Sequence, residues 1–485
     1  MFEITNKTKL KILNFLKNDL DILDITNIYK ILSLIIFWTS LWLCISVQPE
    51  AIKYFGNNLI DTFNSFRISL PLILTFISSA IVLFIIFKKN NINKLNNIIF
   101  ILYIYFLFQS IGLLLNHELK FTLGNSYLIV LGVGTLNILL IIKFLKIDKI
   151  SKYLFFISLI ILFSYLVVLI CINFNKIDDF LVFSNFYSIS KPGDFFLGQA
   201  YPRSTGISRV FGLIGITLIV INSEIKIKNL KYLFYLVIFI CSLAVWGFQS
   251  RGTIICYFCS TLFVLVFFEN KKILHKVFFY LLAPVIIFYT STYLTQMAYK
   301  NNIVFKNLEL VEETRKNLPK TEAEKNSLNE KNIIIINRFQ QHGLQTSGRF
   351  EIWEYALKNY DKSKIFGYGV QGDRFILQDK YKDYGNNSSN LLLYAFVSGG
   401  YFSVIIFLII YLKMLIILIK LKLNKLQNKF KEPLIYKVSL SLICFFFIRS
   451  IIENSFSLFS IDYLIVILCL FIVDDIYSKE KSLKI

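Results

Sequence analysis

The residues whose type and placement point to chemistry are nine arginines: Arg67, Arg203, Arg209, Arg251, Arg315, Arg338, Arg349, Arg374 and Arg449. Each lies outside a long apolar run or at one end of it, and all fall on the same side of those runs. The connections on the other side carry lysine. A guanidinium presents a planar fork that grips phosphate or carboxylate with two hydrogen bonds, whereas an ammonium is a point charge. Arginine sorted to one side implies an anionic ligand on that side. Arg67 is read as snorkelling from a helix end. Arg203, Arg209, Arg251 and Arg449 are read as facing the ligand. Arg251 sits between Ser250 and Gly252, and glycine lets a ligand approach the backbone. Arg449 precedes Glu453 by four residues, so the two can pair on one helix face.

Proton transfer would need a base, and the candidates are Glu351, Asp373, Asp383 and His342. Nothing in the sequence ranks them, and a lone loop histidine is usually just solvated. They fall in a long connection between Tyr299 and Ser388. Its first part, 306–331, is highly charged and reads as helical or mobile. The second part contains Ser347-Gly348-Arg349-Phe350-Glu351-Ile352-Trp353, and Phe350, Trp353 and Leu357 repeat at helical spacing. This helix is either plain packing or a lid whose aromatics face a sugar or lipid. Gly367-Tyr368-Gly369 marks a turn. Asn386 to Asn390 opens an apolar run that Ser or Asn can cap, and Gly399-Gly400 interrupts that run. The seven cysteines all lie in apolar runs, so no disulfide is expected. Cys256 and Cys259 lack the second pair or histidine of a metal site, and no metal is expected.

The elements that must position these residues are membrane helices. The chain has 485 residues, 56% of them hydrophobic and 17% charged, too few charges for a soluble surface of that size. Runs of this length span a bilayer as helices. About twelve are expected, near 31–48, 69–88, 97–116, 125–142, 153–173, 206–222, 231–249, 252–269, 276–297, 389–412, 434–452 and 457–474. The net charge of +21 comes from lysines in the short connections, where the positive-inside rule puts them, so it does not imply a nucleic-acid partner. That side is read as cytoplasm, with both termini on it. The layout is then a cytoplasmic segment 1–30, spans 31–297, an external loop 298–388, spans 389–475 and a tail 476–485. No cleavable signal peptide is expected, and Lys9–Leu23 reads equally as a surface helix or a solvated leader. No cytoplasmic domain is large enough to bind a nucleotide, which excludes ATP-driven pumps.

Between about 200 and 455 the motifs resemble those of the O-antigen ligase and polymerase superfamily of bacterial membrane glycosyltransferases. Ser250-Arg251-Gly252 resembles its span-end signature. Ser347-Gly348-Arg349 with Ile352-Trp353, then Phe366-Gly367-Tyr368-Gly369, then Asn390 opening a glycine-containing span, resembles its large periplasmic loop. Pro202-Arg203-Ser204-Thr205-Gly206 is similar to its upstream segment. Ligases of the family carry His-Asn where the loop re-enters the membrane. Ser389-Asn390 stands here, which favours a polymerase.

The resemblance implies an all-α polytopic membrane protein with a GT-C-like frame and a large periplasmic loop, in the bacterial inner membrane. It implies undecaprenyl-pyrophosphate-linked glycans as substrates and no cofactor. An acceptor hydroxyl would attack the anomeric carbon as lipid pyrophosphate leaves. Arg203, Arg209 and Arg251 would hold the pyrophosphate and Arg349 the second substrate, with Arg449, Glu453, Asn390 and Trp353 in support. A chain-length regulator or other glycan-assembly membrane protein is an expected partner. The alternatives are a ligase that transfers glycan to lipid A core or protein, and a lipid-linked oligosaccharide flippase. A transporter is expected to show mid-span ionisable residues and repeat symmetry, and neither is visible.

Overall fold

A backbone inside a bilayer must satisfy its own hydrogen bonds, so apolar runs of about twenty residues have to be helical. The computed structural model describes residues 25–46, 57–89, 97–116, 119–144, 150–172, 204–248, 250–268, 273–300, 349–362, 364–377, 388–426, 433–453 and 461–482. Among the described residues there is no β-strand. The helices are α1 (Ile25–Ser46), α2 (Asn57–Lys89), α3 (Asn97–Asn116), α4 (Leu119–Phe144), α5 (Ile150–Ile172), α6 (Ser204–Glu224), α7 (Lys228–Gly247) and α8 (Arg251–Phe268). Next come α9 (Ile273–Val277) and α10 (Ala283–Lys300), joined by a π-turn at Phe278–Leu282. The rest are α11 (Arg349–Lys358), α12 (Gly372–Leu377), α13 (Leu391–Leu426), α14 (Leu434–Ile452) and α15 (Ile461–Ser482).

Nine stretches among the described residues are long and apolar enough to cross a membrane. They lie in α2, α3, α4, α6, α7, α8, α9 with α10, α13 and α14. Shorter apolar stretches, Ile31–Trp42 and Ile150–Ser164, lie in α1 and α5. The twelfth expected span corresponds to α15, which carries Asp462, Asp474 and Asp475. The chain is an all-α polytopic membrane protein.

Two boundaries differ most from expectation: α2 begins at Asn57 in place of 69, and α13 runs on past its expected end. The helix expected to stop near 412 continues as α13 to Leu426. Lysine and leucine are good helix formers, and two lysines of this extension find partners. Lys413 Nζ meets Asp474 Oδ1 at 2.5 Å, and Lys420 Nζ lies 5.7 Å from the centre of the Tyr477 ring.

The centre of the bundle is α15. Every residue from Asp462 to Asp474 is buried, and the helix packs against α14, α3, α5, α1 and α4. A helix apolar on all sides belongs in such a position. On one flank α6, α8 and α14 pack on one another, and on another α3 packs on α13.

The expected interruption of α13 is present at Gly400, with φ 66° and ψ −164°. The segment Ile365–Gly369 enters this break. Tyr368 N donates to Val397 O and Gly369 N to Ser398 O, both at 2.8 Å, which satisfies carbonyls that the break removes from the helix ladder. Asn116 Nδ2 donates to Gly367 O at 2.6 Å, tying α3 to the same segment. A Cβ on Gly400 would stand 1.8 Å from Ile365 O, and one on Gly367 would stand 2.7 Å from the amides of Gly399 and Gly400. Both positions have positive φ, so only glycine fits. Stacked rings of Phe108, Phe366 and Phe402 cover the insertion.

Candidate functional site

The starts of α6, α11 and α15 and the end of α14 meet at one end of the bundle and bring three arginines and two carboxylates together, and the start of α8 packs beside them through Gly252 and Ile452. Arg209 Nη1 meets Asp462 Oδ2 at 2.8 Å. Arg449 Nη1 meets the same oxygen at 2.5 Å. Arg449 Nη2 reaches Glu453 Oε2 at 3.4 Å, and Glu453 Oε1 meets Arg349 Nη2 at 2.9 Å. The result is a continuous chain: Arg209, Asp462, Arg449, Glu453, Arg349. Helix ends favour parts of it, since Asp462 lies in the first turn of α15 and Arg449 in the last turn of α14. Arg251 and Arg349 are the first residues of α8 and α11. A cation there opposes the helix dipole, but cation and helix N-terminus together favour an anion.

The loop helices are latched to this end. Besides the Arg349–Glu453 pair, Trp353 Nε1 donates to Ser388 O at 2.7 Å. Ser388 N in turn donates to Asp373 Oδ2 at 2.8 Å. Asn390 Oδ1 accepts from Leu393 N at 2.9 Å and so caps α13. Its Nδ2 donates to Ile451 O at 2.7 Å, joining α13 to the end of α14. Beneath α11 and α12 lies an apolar cluster of Ala356, Tyr360, Tyr368, Ile376, Leu377, Leu393 and Val397, with Ile352 and Trp353 packed on it. Burial raises the Asp373 carboxyl above its ordinary range, against the opposing effect of the Ser388 amide. Burial also pushes the Tyr360 hydroxyl up to about 12.

Residues 236–408 match the family model described as O-antigen ligase. This likeness to the O-antigen ligase and polymerase superfamily runs from within α7 to within α13. It takes in Arg251, Arg349, Asp373 and Asn390. Arg209, Arg449, Glu453 and Asp462 lie outside the match. Comparison with curated proteins found no match. The O-antigen ligase match suggests glycan assembly of ligase or polymerase type by a multi-pass membrane protein.

Of the residues singled out in the sequence, the structure brings Arg209, Arg349, Arg449 and Glu453 into one network, with Asn390 and Trp353 bracing it. Arg203, Asp383 and His342 lie outside the described residues, as do Arg315 and Arg338. Arg374 and Glu351 are exposed on their helices, and Asp373 is buried.

One local reading is corrected. The space beside Gly252 is taken by the side chain of Ile452, because a Cβ there would stand 2.9 Å from its Cδ1. That glycine admits the end of α14. The helix expected from Phe350, Trp353 and Leu357 is present as α11. Its packed face is Ile352, Trp353 and Ala356, while Phe350 and Leu357 are 60% and 56% exposed.

Sequence reasoning missed Asp462, the residue that joins two of the arginines. A carboxylate opening an otherwise apolar span is itself a functional signal in a membrane protein. Among the described residues no group of three or more His, Cys, Asp or Glu could hold a metal ion.

Proposed function

We propose that the protein polymerises undecaprenyl-pyrophosphate-linked oligosaccharide repeat units at the outer face of the bacterial inner membrane. The observation that carries this reading is the guanidinium network at one end of the bundle, with Arg251 and Arg349 at helix N-termini inside the O-antigen ligase match. In this reading the arginine end faces outward, the lysine connections face the cytoplasm with both termini, and 298–388 is the external loop. An acceptor hydroxyl attacks the anomeric carbon of the donor glycan. The bond from that carbon to the pyrophosphate oxygen breaks, and the electron pair leaves with the lipid pyrophosphate. Arg203, Arg209 and Arg251 stabilise the charge that builds there, which is usually the largest catalytic contribution in such a site. Arg349 holds the second substrate. Tethering both substrates in one membrane supplies the rest, by positioning. The guanidiniums do the work of charge neutralisation, so the reaction calls for no metal.

A second reading, a ligase that moves finished glycan to lipid A core or protein, is favoured by the description of the matched family. Ser389-Asn390 in place of His-Asn supports the polymerase. A strain deleted for the gene separates the two when its lipid-linked and surface glycans are sized on a gel. Single repeats at the surface are the expected result. Long chains accumulating on undecaprenyl pyrophosphate would make the protein a ligase, and unchanged glycans would reject both readings.

A further inference from the structure

Resting on the glycan-transfer reading, we propose that Glu453 is the general base that takes the acceptor's hydroxyl proton. The network holds two carboxylates and they differ in access. The Asp462 side chain is 1% exposed and the Glu453 side chain 28%. Asp462 is sealed between Arg209 and Arg449, whereas Glu453 opens toward the end of the bundle where the loop helix is latched.

The oxygens of Glu453 are also held unequally. Oε1 meets Arg349 at 2.9 Å, while Oε2 reaches Arg449 only at 3.4 Å, beyond the usual charge-assisted distance. Arg449 keeps a second, shorter bond to Asp462. It can therefore turn from Glu453 to a phosphate oxygen without losing its buried partner, which leaves Oε2 free to accept a proton. The backbone beneath is fixed. Glu453 ends α14, and its amide donates to Arg449 O at 2.7 Å.

Glu453 is also near elements assigned to both substrates of the reading. It pairs with Arg349, assigned to the acceptor. It follows Ile452, which packs against Gly252, the neighbour of Arg251 at the start of α8. The two described loop carboxylates named as base candidates from the sequence, Glu351 and Asp373, fit the role less well. Glu351 is exposed on α11, and Asp373 is buried with Oδ2 committed to the Ser388 amide.

The step balances without a co-reactant. The acceptor oxygen forms its bond to the anomeric carbon as its proton passes to Glu453 Oε2. The carbon–oxygen bond to pyrophosphate breaks, with its electron pair leaving on the lipid pyrophosphate. Solvent then takes the proton from Glu453.

The test uses the full-length protein purified in detergent. Turnover is followed with the lipid-linked repeat unit isolated from the deletion strain, and binding is measured with undecaprenyl pyrophosphate. Glu453→Gln should bind undecaprenyl pyrophosphate at least as tightly as wild type, while turnover falls roughly 10²- to 10⁴-fold. Glu453→Asp should retain part of the rate. Wild-type turnover in Glu453→Gln would overturn the proposal. So would a Glu453→Gln protein that loses binding or unfolds, since that makes the carboxylate a structural clamp. If the wild-type protein itself does not consume the lipid-linked repeat, the glycan-transfer reading fails, and the base role fails with it.

Discussion

The central helix α15 carries a buried aspartate at each end of its buried stretch, and the two are answered by different cations. Asp462 accepts from two guanidiniums, Arg209 and Arg449, and the second leads on to Glu453 and Arg349. Asp474 meets one ammonium, Lys413. Ion pairs near that end also use lysine: Lys143 with Asp475 at 3.7 Å and Lys437 with Glu224 at 2.5 Å. Lysine balances a carboxylate as a flexible point charge and can withdraw along its stem. Arginine is held by several directed bonds and keeps its charge wherever it is placed. The lysine end is built to neutralise. Among the described residues, the arginine end sets three guanidiniums on two carboxylates, fixed in geometry. An arrangement of that kind suits an incoming anion.

The sharpest way to break this comparison is to neutralise each aspartate in turn. Asp462→Asn removes the negative charge shared by two guanidiniums at a buried position, and breaking such a group costs about 3–5 kcal/mol. Asp474→Asn breaks one ion pair in place of two, and the Lys413 side chain is 23% exposed against 7% for Arg449, so its loss should be smaller. Melting temperatures in the same detergent should rank the two variants clearly. Equal losses would mean that the two ends do the same structural job.

Swapping the cations tests the same contrast in activity. Arg251→Lys keeps the charge, expression and topology but loses the planar fork. Glycan chain elongation should fall by about 10²- to 10³-fold, the size of effect seen when an oxyanion donor is removed. Lys413→Arg at the other end should leave elongation near wild type. Polymer of wild-type length from the Arg251→Lys strain would sink the phosphate clamp.

The arginine end was half legible in the sequence. Long apolar runs set the helices, because a bilayer leaves the backbone no other choice. The cap at Asn390 and the break at Gly399-Gly400 were readable, since both are set by residues close in sequence. The pairing of Arg349 with Glu453 was not readable, because it joins positions 104 residues apart. Likewise Asp462 looks like a span-end acid until α6 and α14 place Arg209 and Arg449 on it. Gly252 read as open space for a ligand because the sequence does not show that Ile452 packs there. At α13 the lysines read as a loop, since Asp474 and Tyr477, which accommodate Lys413 and Lys420, lie on another helix.

The smallest predicted effect concerns a buried carboxylate held by an amide rather than a cation. Asp373 accepts from the Ser388 backbone, and burial raises its proton affinity in the folded loop. A raised folded value means that the docked loop favours the protonated acid. Its contribution is complete below the ordinary aspartate range and is lost as pH rises through the raised value. Protection of α11 and α12 from protease should therefore weaken as pH rises through that value. Asp373→Asn keeps an acceptor for Ser388 and cannot ionise, so it should hold protection level with pH and slow cleavage at neutral pH. Asp373→Ala leaves the buried Ser388 amide unpaired, at a cost of about 1–3 kcal/mol, and should speed cleavage at every pH. A wild-type loop whose protection ignores pH would show that Asp373 does not pass between charged and neutral forms over the range tested.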